Sequence, residues 1–72
     1  MSGPLNDRAA AAVRAAAGAA GDASGNCDAA VSCFDSGRLA HAAEQLEWAE
    51  ENARSALHRI REAREQLAAL AV

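Results

Sequence analysis

Two cysteines, two histidines and a run of glutamates are the side chains of this chain best suited to chemistry. Cys27 and Cys33 are six residues apart. Along a helix that is ~9 Å of rise and ~240° of rotation. The two thiols then point to different sides, and their Cα atoms lie beyond the ~7 Å a disulfide spans. Cys27 falls on one stripe with Ala30, Val31 and Phe34, which reads as a small apolar residue on a packed face. Cys33 lies near the C-terminal end of that segment, where the helix dipole disfavours a thiolate nucleophile.

His41 and His58 are 17 residues apart, or ~25 Å along one helix, so they do not converge. Each has a carboxylate one turn on, Glu44 and Glu62, which is the spacing of a weak surface pair. Cys33, His41 and Glu44 match no recognised metal-ligand spacing. Glu44, Glu47, Glu50 and Glu51 wrap around the helix, and no Glu-x-x-His motif accompanies them. A Gly-rich phosphate loop, a placeable Ser-His-Asp set and tyrosine are all missing from the sequence. The expectation is a chain with no catalytic residues, no metal site and no cofactor, and not an enzyme.

These residues sit on helical segments. The sequence has 72 residues, so it can form one small domain, and most of its apolar fraction is alanine. Alanine buries little area, and a chain this short seldom gains more than ~3–5 kcal/mol from one core. Oligomerisation is the expected remedy. All seven cations are arginine and the net charge is −3. That composition suggests a GC-rich bacterial source. An acidic chain without a basic stripe argues against nucleic-acid binding. The alanines of the first twenty residues are interrupted by Arg8 and Arg14, so neither a secretory signal nor a membrane span is expected. The expected location is cytoplasmic, with both cysteines as thiols.

The predicted fold is all-α: a small helical bundle of two short helices and one long C-terminal helix. Residues 1–6 are expected to be a flexible N-terminus and 7–72 a single helical domain, with helices at about 7–20, 27–35 and 38–70. Asn6 or Asp7 can cap the first helix. The Gly21–Asn26 stretch reads as a turn, and Ser24 or Asn26 as the cap of the second helix. Asp35-Ser36-Gly37 reads as another turn. The apolar stripe breaks at the same point, because Phe34 to Leu39 is a five-residue step.

The clearest pattern is on the third helix. Leu39, Ala42, Leu46, Ala49, Ala53, Ala56, Ile60, Ala63, Leu67 and Leu70 keep an unbroken 3–4 spacing. One line of this heptad seam (Leu39, Leu46, Ala53, Ile60, Leu67) is mostly large, and the other mostly alanine. An antiparallel homodimer fits it: with Ala53 beside the partner's Ala56, Leu46 would meet Ala63, Ile60 would meet Ala49 and Leu67 would meet Ala42. Large residues then face small ones at native density. Charge agrees, because residues 38–51 are acidic and 52–66 mainly basic. Rival uses of the seam are packing against helices one and two of the same chain, or against a second helical protein.

Trp48 lies off the seam, in line with His41, Ser55 and Glu62, and either covers the flank of another helix or docks a partner. Leu57 widens the seam, and both roles are open to it. Around the predicted turn, Ala30, Gly37, Ala42, Ala49 and Phe34 resemble one tetratricopeptide hairpin, with Asn26 and Cys33 where that repeat has Trp and Tyr. A single repeat cannot close its own core, so the resemblance implies hairpin geometry and not peptide binding. The expected function is a small non-catalytic interaction protein, such as an assembly, adaptor or regulatory subunit. The alternatives are a thiol- or metal-responsive regulator using Cys27, Cys33 and His41, or an accessory subunit of an enzyme or toxin–antitoxin pair.

Overall fold

The computed structural model describes residues 3–71. They form two helices, α1 (Pro4–Asp35) and α2 (Leu39–Ala71), packed against each other as an antiparallel hairpin, with no strand among the described residues. The hairpin is 52 Å long, the length of a helix of ~33 residues at 1.5 Å each. No helix among the described residues is long and apolar enough to cross a membrane.

The all-α expectation holds, but the two short helices are one. α1 begins with Pro4 in its first turn, where the missing N–H costs nothing. Asp7 is inside this first turn, and its N–H donates to the carbonyl of Gly3 at 2.9 Å, so neither Asn6 nor Asp7 starts the helix. Residues 1 and 2 of the expected flexible N-terminus lie outside the described residues, and from Pro4 the backbone is helical.

The expected turn at Gly21–Asn26 does not form. Each glycine in a helix interior costs roughly 0.5–1 kcal/mol relative to alanine. Against that stands a packing repeat that runs straight through the segment. Ala9, Ala16, Ala23 and Ala30 recur every seven residues, and Ala12, Ala19, Asn26 and Cys33 interleave with them. All eight are buried or half-buried. A break at Gly21 would take the second half of α1 off α2, so tertiary packing overrides the local turn preference.

The turn at Asp35-Ser36-Gly37 does form. Gly37 adopts φ 76°, the left-handed region that glycine enters without steric cost. The N–H of Arg38 donates to the carbonyl of Cys33 at 2.8 Å, and that of Gly37 to Phe34 at 3.0 Å. This pair of bonds is a Schellman closure of α1. Ser36 turns back, its Oγ donating to the Ser32 carbonyl at 2.9 Å, rather than capping α2.

Among the described residues the buried ones are alanines: Ala9, Ala16 and Ala30 on α1, and Ala42, Ala49, Ala56 and Ala63 on α2. Methyl-only contacts let two helices approach to the close end of the usual 8–10 Å separation. They also remove little apolar area from water, about 0.8 kcal/mol per buried carbon against about 1.5–3 kcal/mol for a Leu, Ile, Val or Phe side chain. The hairpin core is therefore continuous but thin.

Candidate functional site

The two lines of the α2 seam separate in the folded chain. The alanine line (Ala42, Ala49, Ala56, Ala63) is covered by α1. The large line is not: Leu39, Leu46, Ile60 and Leu67 remain 42–62% exposed, and Ala53 is exposed with them. The alanines that the sequence offered to a second chain are taken up by α1. The layers that would set Leu46 on a partner's Ala63 and Ile60 on a partner's Ala49 are closed to a second copy of the folded hairpin. Leu70 stands in register with the alanine line near the free end of α2 and keeps 39% exposure.

α1 carries a matching line. Val13, Ala20, Cys27 and Phe34 recur every seven residues, four positions after Ala9, Ala16, Ala23 and Ala30 and so on one flank of the buried stripe. In an antiparallel pair, equivalent flanks of the two helices lie on the same side. Two grooves show this directly. Near the turn, Cys27, Ala30, Val31 and Phe34 border Ala42 and Leu46 around about 370 Å³. Near the free ends, Asn6, Ala9, Ala10, Val13 and Arg14 border Leu67 and Leu70 around about 340 Å³. Val31 and Leu57 widen this side of the hairpin, one from each helix, and both are exposed. The result is an apolar face along the molecule. Single exposed leucines are ordinary on a monomer, but a continuous face is not.

The other side is different. Arg8, Ala11, Ala12 and Ala15 border Arg59, Glu62 and Gln66 there. Trp48 lies toward this side, in the line of His41, Ser55 and Glu62, and is 48% exposed. It does not share a face with Leu46.

Between the faces, the seam holds three amides that the sequence reading did not identify. Asn26 Nδ2 donates to Gln45 Oε1 at 3.0 Å, and Asn52 Nδ2 donates to Asn26 Oδ1 at 2.7 Å. All three residues are half-buried. Asn26 is thus a cross-helix bridge rather than a cap. The signal was present in the spacing: Gln45, Asn52, Arg59 and Gln66 recur every seven residues beside the alanines of α2. A polar group in a helix seam fixes register, because any slip leaves it unpaired.

The chemically capable residues remain dispersed. Cys27 is an exposed free thiol on the apolar face, and Cys33 is a half-buried free thiol turned toward α2. His58 Nε2 lies 2.7 Å from Glu62 Oε1, the expected one-turn pair, and Arg59 is 3.8 Å from the same carboxylate. Arg54 and Glu50 form an exposed pair at 2.7 Å. Among the described residues no three His, Cys, Asp or Glu side chains gather into a group able to hold a metal ion, and Cys33, His41 and Glu44 are not brought together.

Compared with known proteins, the chain matches no family model, no curated protein and no solved structure.

Proposed function

We propose that this protein is a small non-catalytic interaction module that works by docking another helical surface on its apolar face, as an assembly, adaptor or regulatory subunit. One observation carries the reading: the folded chain buries alanines and leaves its large apolar side chains, from Val13 to Leu70, at 39–66% exposure. Covering those side chains yields more free energy than the whole alanine seam does, because apolar stabilisation follows area. The amide bridge of Asn26, Gln45 and Asn52 holds α1 and α2 in register, so the face is preorganised for its partner. Leu39, Leu46, Ile60 and Leu67 are its anchors, with Leu57 at its margin. Trp48 belongs to a separate surface.

The test is Leu46→Glu combined with Ile60→Glu. Both sites are exposed in the single chain, so helicity by circular dichroism should be preserved while association of any kind is lost. Unchanged association in sedimentation and co-purification would refute the reading.

Cys27 favours a second reading, thiol-responsive association, because its free thiol is exposed on the docking face. Oxidation to a sulfinic or sulfonic acid would place charge there. Cys27→Ser that no longer loses association under peroxide would support it, and unchanged peroxide sensitivity would refute it. A reducing, cytoplasmic compartment suits either reading.

A further inference from the structure

We infer that the occupant of the apolar face is a second copy of this chain, lying face to face and reversed, with the turn end of each hairpin over the free ends of the other, so that four helices enclose one core. The inference rests on the reading of that face as a docking surface and adds its partner and orientation.

Area comes first. The hairpin measures 52 by 17 Å, a footprint on the order of 900 Å², comparable to the ~800 Å² that each partner buries in a standard stable interface. A copy of the same length covers the face from end to end.

Charge sets the orientation. The fold puts residues 21–52 in the turn half of the hairpin and residues 3–20 and 53–71 in the other. The turn half carries seven carboxylates and one arginine, net −6, and the other half three carboxylates and six arginines, net +3, together the −3 of the chain. Stacking two copies turn over turn sets −6 against −6. Reversing one sets −6 against +3 at both ends, and such complementarity fixes register and suppresses the wrong arrangement.

Shape agrees with charge. Ala20 and Ala53 lie near mid-length and make a narrow waist. A two-fold axis across that waist lays Val13 over the partner's Cys27 and Leu46 over the partner's Ile60, mixing large and small side chains in each layer. Phe34, 66% exposed beside the turn, then reaches the partner's free-end groove of about 340 Å³ between Val13, Leu67 and Leu70. The turn-over-turn arrangement instead crowds Phe34 against the partner's Leu39, large on large, and leaves the free-end groove without it. Neighbouring helices run antiparallel in either arrangement, so shape and charge rather than helix dipoles select the reversed one.

The experiment is sedimentation equilibrium of the full chain under reductant, followed by a short bifunctional thiol cross-linker. A dimer is expected, and Leu46→Glu should raise its Kd by at least about 30-fold, the mark of a buried anchor. Cys33→Ser alone should cross-link poorly, because reversal holds the two Cys27 thiols ~21 Å apart along the bundle, 14 residues of helical rise. Val13→Cys with Cys33→Ser should cross-link efficiently. Efficient cross-linking by Cys33→Ser alone would overturn the orientation while leaving a second copy on the face. A monomer at every concentration would overturn the second copy. If that monomer bound another helical protein and Leu46→Glu abolished the binding, the docking reading would survive without this inference. A dimer indifferent to Leu46→Glu would overturn both.

Discussion

Asn26 on α1 and Gln45 on α2 are joined across the alanine seam by a 3.0 Å hydrogen bond, with Asn26 Nδ2 as donor. Asn26 also accepts from Asn52, seven residues or two turns further along α2. Methyl groups alone distinguish poorly between one alanine layer and the next. The amides supply the distinction, because a slip strands half-buried donors and acceptors.

Asn26→Ala should therefore destabilise the hairpin by about 1–2 kcal/mol, the cost of leaving Gln45 and Asn52 without their common partner. In a chain of this size each kcal/mol lowers Tm by ~4–8 °C. Thermal unfolding at fixed protein concentration measures it. A Tm within 2 °C of the parent would show that the bridge has no structural weight.

Gly21 and Gly25 test the continuity of α1. Neither has a neighbour within 4 Å of an added Cβ, and neither has positive φ. Gly21→Ala and Gly25→Ala should each stabilise by about 0.5–1 kcal/mol through helix propensity and lost unfolded-state entropy. Gly37→Ala should destabilise by ~1–2 kcal/mol, because φ 76° is strained for an L side chain. A turn at Gly21–Asn26 would reverse the first sign. Urea unfolding of the three variants separates the two outcomes.

Alanine is required at some positions and incidental at others. Ala49 is 6% exposed, on the line of α2 that α1 covers. Ala49→Leu should cost about 1–3 kcal/mol by overpacking. Ala40, on the outer side of α2, should accept leucine within ±0.5 kcal/mol. Equal effects in denaturant titration would argue against the seam.

The Arg54–Glu50 pair is exposed on both sides, 73% and 63%. Glu50→Gln should change stability by only a few tenths of a kcal/mol, as for other one-turn helical pairs. Its influence, if the dimer is reversed as inferred, should appear in the salt dependence of association rather than in unfolding.

How much of this was legible in the sequence differs from element to element. Local chemistry determined the helices themselves, the stop at Asp35-Ser36-Gly37 and the heptad lines of α2, because propensity, left-handed glycine and 3–4 spacing act over a few residues. The dispersal of Cys27, Cys33, His41 and His58 was also legible, since helical rise alone separates each pair. The fate of Gly21–Asn26 was not, because its turn residues are locally genuine and only contact with α2 outweighs them. The Ala9, Ala16, Ala23 and Ala30 repeat was visible but lost among so many other alanines. Nor does a heptad state which of its lines is covered. Tertiary structure decided that: the methyl line packs within the chain because α1 is tethered by a three-residue turn and can approach closely only over alanine, and the leucine line is left facing outward.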